Sequence, residues 1–427
     1  MTSLLIAGGR VLSPEDSLDG RFNLLVEDGV IRQIAPGLTA HADETLDASG
    51  QVVAPGLVDI HAHLREPGAE ASETLETGLA AAVAGGFTAV CPMPNTQPVN
   101  DRPESTCTMI ERAQELGLAR VFPIAAVSLG SAGESLADLP ALVQAGAVAF
   151  SDDGRPVKTA GLLQRAMKQA TALDVAIVDH CEDPSLSAGG AVNEGPVADR
   201  LRVRGIPNSS EDVCVARDLI VAEAIGARLH VAHLSTARAL ESVRVGKRRG
   251  IRVTCEVTPH HFTLTDEAVI QHGTLAKMNP PLRSASDLEA VLAGIADGTV
   301  DAIATDHAPH PSELKQKSLA EAAFGIIGFE TALGLALTRL VHTGRISLWH
   351  LVLLMSTNPA RIINQPLGRL RVGGAADLTV FDPNLGWTYR VAESRSKSRN
   401  SPFDGWKLRG AVTATIVAGK IVCRRPA

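Results

Sequence analysis

Aromatic side chains are scarce in this chain: nine Phe, three Trp and a single Tyr among 427 residues. A core that cannot rest on rings must be built from Ala, Val, Leu and Ile. That suits Val/Ile-rich strands covered by Ala/Leu-rich helices. Basic runs are also missing and the net charge is −7. This argues against a nucleic-acid surface, and it means that an anionic ligand must be captured by local cations, not by the overall field. The six cysteines contain no CxxC pair, which reads as reduced thiols and not a disulfide framework. No stretch approaches the ~20 continuous apolar residues of a membrane span. The opening "MTSLLIAGGRVLSPEDS" lacks the basic n-region and cleavage site of a signal peptide. The expectation is a soluble, cytoplasmic protein.

What is present is a repeating pattern between two β-rich ends. Near the start, "NLLVEDGVIRQI" sets Asp28-Gly29 between alternating apolar runs, a hairpin signal because both residues tolerate positive φ. Near the end, "AADLTVFDP" and "VTATIVAGKIVCR" read as strands, with a turn at Ala418-Gly419. Each end alone has too few strands to bury a core, so residues 1–54 and 365–427 are expected to form one composite, sandwich-like β-domain. Residues 55–364 alternate short apolar strands with amphipathic helices. Eight strands are read there: "GLVDI", "TAVCPM", "RVFPIAAV", "AVAFS", "VAIVD", "RLHVAH", "RVTCEV" and "DAIAT". Eight β/α units predict an α/β fold, a (β/α)8 TIM-type barrel. A doubly wound sheet is the runner-up, but no glycine-rich nucleotide loop follows the first strand.

Catalytic groups of such barrels sit at the C-terminal ends of the strands. Here the first strand ends in His61 and His63, the fourth in Asp152 and Asp153, the fifth in His180, the sixth in His233 and the eighth in Asp306. Side chains two apart on a strand share a face, so His61 and His63 both look into the barrel mouth. One HxH pair would be weak evidence. Imidazoles and carboxylates at five strand ends are the ligands that suit Zn²⁺, and burying them without a cation would be costly. His230, inside an apolar strand, reads as a core residue, and His260 and His261 receive no ligand role. His41, His272, His342 and His350 read as surface or helix positions. Cys181, next to His180, could approach the metal as a thiolate, but the reading preferred is a small buried side chain.

The segments "DIHAHLREPG", "PMPNTQP", "AFSDDGRPV", "KMNPPLR" and "ATDHAPH" resemble, in this order, the amidohydrolase superfamily and within it the type I dihydroorotases. The tail "SKSRNSPFDGWKLRGAVTATIVAGKIV" is similar too, so the likeness covers essentially the whole chain. The resemblance implies reversible closure of N-carbamoyl-L-aspartate to L-dihydroorotate in pyrimidine biosynthesis. It implies His61, His63, Asp153, His180, His233 and Asp306 as ligands of one or two Zn²⁺ ions. Many relatives bridge two metals with a carboxylated lysine at strand four. Here no lysine stands there, Lys158 reads as solvated, and Asp153 would bridge. That departure argues against hydantoinase and dihydropyrimidinase.

The mechanism expected on this basis rests on a metal that lowers the pKa of its water to about 7. Asp306 would accept the proton of the nucleophile and pass it to the departing ring nitrogen. Arg65 offers a planar fork for the substrate carboxylate. Asn95, Asn279, His310 and the backbone at Phe324-Gly325 would complete substrate binding. Residues 310–330 read as a mobile lid. The expected partners are the small-molecule substrate, aspartate carbamoyltransferase and further copies of the chain. The rival readings are another cyclic amidase (allantoinase- or hydantoinase-like) and a dihydroorotase-like scaffold that needs the transferase for activity.

Overall fold

A computed structural model describes residues 2–426. Eight parallel strands form the barrel: β1 (Leu57–Ala62), β2 (Phe87–Pro92), β3 (Ile124–Ala126), β4 (Ala149–Ser151), β5 (Ala176–Asp179), β6 (Leu229–Val231), β7 (Val253–Val257) and β8 (Ala302–Ile303). Strands β3 to β8 make one continuous sheet, and β1 pairs with β2. The ring closes where the Asp306 amide donates to the His61 carbonyl at 3.0 Å and the His63 amide to that of His307 at 2.8 Å. One strand departs from the sequence reading. "RVFPIAAV" is broken in two, because Pro123 has no N–H to donate. Arg120–Val121 pairs with β2, and only Ile124–Ala126 pairs with β4.

Each strand is followed by a covering helix: α1 (Leu75–Ala84), α2 (Pro103–Leu116), α3 (Leu139–Gln144), α4 (Ala160–Ala172), α5 (Ser209–Ile225), α6 (Ala237–Arg248), α7 (Ala285–Ala296) and α8 (Phe329–Ala336). Their starts are written locally. Thr74, Asp138, Thr159, Thr236 and Ser284 each accept a backbone N–H of the first turn, a cap worth about 1 kcal/mol. Between β5 and α5 an excursion unannounced by the sequence pattern carries a two-strand parallel pair, Val192–Asn193 with Gly205–Ile206.

The two ends of the chain meet in two sheets. One has the order Val30–Ala35, Asn23–Glu27, Ser3–Ala7, Glu44–Asp47. The other runs Lys420–Arg424, Lys407–Val417, Leu378–Thr388, Val52–Pro55, Arg10–Ser13, Leu18–Arg21, so three C-terminal and three N-terminal strands join edge to edge in a single sheet. The turns at Asp28-Gly29 and Ala418-Gly419 have the positive φ that the sequence requires of them. Leu4, Ile6, Leu24 and Val26 of one sheet face Val53, Leu378, Val380 and Ile416 of the other in a shared core. Among the described residues no helix is long and apolar enough to cross a membrane.

Candidate metal centre and active site

The C-terminal ends of β1, β4, β5, β6 and β8 bring six side chains together. His61, His63, Asp153, His180, His233 and Asp306 are all buried. Asp153 lies between the imidazoles: its Oδ1 is 3.4 Å from His180 Nδ1, 3.4 Å from His233 Nε2 and 3.5 Å from His61 Nε2. Its Oδ2 is 3.5 Å from His63 Nε2. Asp306 Oδ1 sits 3.1 Å from His63 Nε2 and 3.7 Å from His61 Nε2. Two overlapping donor triads result, His61–His63–Asp306 and His61–Asp153–His233, each with donor atoms within 4.8 Å of one another. Arg65, His233 and Asp306 hold φ of 64°, 32° and 46°. Such left-handed backbone is costly for non-glycine residues and collects where a side chain must be aimed.

The donor set fits a divalent cation. His61 Nε2 and Asp153 Oδ1 are buried and make no hydrogen bond, which is costly unless another partner takes the lone pairs. Borderline nitrogen donors with carboxylate oxygens are what Zn²⁺ and its neighbours prefer. The electrostatics agree. Burial alone would push the His61 pKa down, but Asp153 and Glu256 outweigh it and hold it well above the ordinary imidazole value. His180 is raised against burial by Asp153 and Glu182. Burial would raise Asp153, but His61, His180 and His233 drive it well below the usual carboxylate range. Asp306 is lowered in the same way by His63 and His61. Carboxylates that hold protons on neighbouring imidazoles in this way are equally placed to hold a metal.

Beside these groups lies a cavity of about 210 Å³, lined also by Arg65, Asn95, Asn279, His310, Phe324 and Gly325. Asn95 Oδ1 is 2.9 Å from His63 Nδ1 and fixes that ring. Asn279 donates to Glu182 Oε2 at 2.6 Å. Arg65 donates through Nε to the Pro309 carbonyl at 3.2 Å and reaches His310 Nε2 at 3.3 Å. Burial lowers its guanidinium to about 10 and makes an anionic partner favourable. Gly325 has φ 122°, and a Cβ there would lie 2.6 Å from that of Ala308, so only glycine brings this backbone against the cavity.

Other candidates fall elsewhere. Asp152 turns away from the mouth to accept from Ser128 Oγ at 2.5 Å. His230 lies within the barrel, bonded to Thr254 and Glu256. His260 and His261 are buried outside the cavity lining, His41 and Lys158 are exposed, and His272, His342 and His350 are half-buried. The segment 310–330 is not a loose flap. Lys315 Nζ donates to the carbonyls of Lys277, Ala323 and Gly325, and Lys277 Nζ to those of Ala320 and Ala322. Sequence reasoning missed Glu256, which binds His61 Nδ1 at 2.6 Å and His230 Nε2 at 3.2 Å. The only signal for it was a lone acid inside the apolar strand "RVTCEV".

A parallel barrel with facing imidazoles and carboxylates at its C-terminal mouth defines a metal-dependent amidohydrolase. A family model described as Dihydro-orotase-like matches residues 50–239. The chain is 51% identical to a dihydroorotase of Syntrophus aciditrophicus (strain SB), over 98% of this chain and 99% of that one. It is 48% identical to a dihydroorotase of Citrifermentans bemidjiense, again over 98% and 99%. Among solved structures it superposes on L-hydantoinase (dihydropyrimidinase) from Arthrobacter aurescens with a TM-score of 0.90 at 27% identity, covering 100% of this chain and 97% of that one. D-hydantoinase from Thermus sp. gives 0.82 at 24% identity over 99% and 95%, and shares the fold. The chain belongs to the dihydroorotase family.

Proposed function

We propose that the chain catalyses the reversible closure of N-carbamoyl-L-aspartate to L-dihydroorotate, as a zinc enzyme of de novo pyrimidine biosynthesis in the cytoplasm. The observation that carries this is the meeting, at one cavity, of six converging donors with an Arg65 guanidinium suited to a carboxylate. His61, His63, Asp153, His180, His233 and Asp306 are the proposed ligands of one or two Zn²⁺ ions, with Asp153 bridging. When bound, the metal supplies a nucleophilic water at neutral pH and polarises the ring carbonyl. Arg65, Asn95 and His310 bind the substrate carboxylate, while Asn279 and the backbone of Phe324 and Gly325 face the ring. In hydrolysis Asp306 takes the proton of the attacking water and gives it to the ring nitrogen as the C–N bond breaks. Cyclisation runs the same transfers backwards. Residues 55–364 would form the catalytic unit, with 1–54 and 365–427 as its support. Aspartate carbamoyltransferase and further copies of the chain are the proposed partners.

The test is hydrolysis of dihydroorotate by the purified, zinc-loaded chain, with metal measured in the same sample. Turnover that disappears on chelation and returns with zinc is the expected result. A chain that holds its metal yet leaves dihydroorotate intact, with and without the transferase, would refute the assignment.

A further inference from the structure

A second group of metal-type donors lies behind the wall of the active site, and the proposed reaction does not use it. On β5 and just beyond, side chains alternate. His180 points into the mouth, while its neighbours Asp179 and Cys181 point outward to α5, which carries Cys214 and Asp218. All four are buried, at 4% exposure or less. One donor atom from each lies within 4.8 Å of every other. Cys181 Sγ is 3.3 Å from Asp218 Oδ2, and Cys214 Sγ is 4.0 Å from both Asp218 Oδ2 and Asp179 Oδ2.

We propose that Asp179, Cys181, Cys214 and Asp218 form a second, structural site for a thiophilic divalent cation of the Zn²⁺ type. In a tetrahedral Zn²⁺ site with Zn–S of ~2.3 Å and Zn–O of ~2.0–2.2 Å, donor atoms sit roughly 3.3–3.8 Å apart. The three sulfur–oxygen separations above, 3.3 to 4.0 Å, lie at or just beyond that range. Thiolate sulfur selects such a cation over Mg²⁺ or Ca²⁺. Four anionic donors on a divalent ion leave two surplus negative charges, and Arg217 balances one of them. Its Nε donates to Asp218 Oδ1 at 2.6 Å and its Nη2 to Asp179 Oδ2 at 3.2 Å. Asp179 is held in place by the Val157 amide, 2.8 Å from its Oδ1. The arrangement therefore has ligands on two elements, a charge-balancing guanidinium and an oriented carboxylate, the supports that metal sites use. Its function would be to tie the end of β5 to α5.

Cobalt distinguishes this site from the catalytic one, whose proposed ligands include no sulfur. The full-length chain is stripped and reloaded with Co²⁺, and its near-ultraviolet thiolate-to-cobalt charge-transfer band is recorded beside the bound cobalt per chain. The expected result is a band in the wild type that is at least halved in both C181S and C214S, with one fewer cobalt per chain. C214S should keep dihydroorotate hydrolysis within about threefold of wild type, since it leaves the mouth intact. Absence of the band in the wild type would overturn the proposal. So would a band lost in C181S but kept in C214S, which would place Cys181 on the catalytic metal. Four free thiols in the unreduced, denatured chain, instead of the six in its sequence, rising to five in C181S, would place a disulfide between Cys181 and Cys214 and overturn it equally.

Discussion

Glu256 brings a negative charge into the middle of the barrel, fully buried, and its hydrogen bonds to His61 and His230 make this affordable. Those two rings lower its pKa to about 2 against the opposing effect of burial. Because it binds Nδ1 of His61, it leaves Nε2 as the lone pair aimed at Asp153, and so sets the tautomer from which a metal would be held. Replacing Glu256 with Gln keeps the shape and removes the charge. Metal affinity should fall about 10- to 100-fold with the fold intact. Competition against a chromophoric chelator reads this directly, and an unchanged affinity would reduce Glu256 to a packing role. The same contrast explains what was legible at this scale. Histidines and aspartates at strand ends announce themselves by period and place, as His61 and His63 do. A single glutamate inside an apolar strand has no such pattern, and its meaning depends on two histidines 195 and 26 residues away along the chain.

At the scale of elements, most strands and helices followed from periodicity and the hairpin turns from Asp-Gly and Ala-Gly. The segment from 310 to 330 did not. Its length, with "HPSELKQKSL" and two glycines, reads as a lid. Yet Lys315 is buried and its ammonium joins three carbonyls, two of them, Ala323 and Gly325, inside the segment itself. Lys277 does the same from the other side and lies 4.2 Å from the centre of the Phe324 ring. Burial lowers Lys315 to about 7 and Lys277 to about 8, so both are held at some cost, offset by their bonds to carbonyls. Lys315→Met would leave three carbonyls without their ammonium partner. Each buried polar group left bare costs about 1–3 kcal/mol, enough to free the segment. The Michaelis constant for dihydroorotate should rise by about tenfold or more while bound metal stays constant. A variant with normal kinetics would mean that the segment is held without Lys315.

Over the whole molecule, the barrel and the β-domain are not separable bodies joined by a linker. Phe381 and Val412, from the C-terminal strands, belong to the same apolar cluster as Val83 and Phe87 of the barrel. Arg120, in the two-residue strand that precedes β3, pairs with Asp377 through Nε at 2.7 Å. Further along, the tail reaches the active-site end. Ser396 and the Lys397 amide bond to Glu73. Asn400 Nδ2 donates to the carbonyls of Ala308 and Gly325 at 2.9 and 3.0 Å, and its Oδ1 accepts from the His310 amide at 3.1 Å. None of these contacts could be read from the sequence, where "SKSRNSPFDG" stands out only as part of a tail similar to the family's and its polar residues name no partners. It predicts that a chain ending at residue 364 does not survive as a working barrel. Exposed Phe and Val side chains would each forfeit about 1.5–3 kcal/mol of burial, against a total stability of about 5–15 kcal/mol. The backbone that faces the cavity would also lose its Asn400 bonds. The truncated chain should be insoluble, or lose its cooperative thermal transition along with bound metal. If it unfolds in one sharp transition with metal retained, the C-terminal segment is an accessory to the barrel and not part of its core.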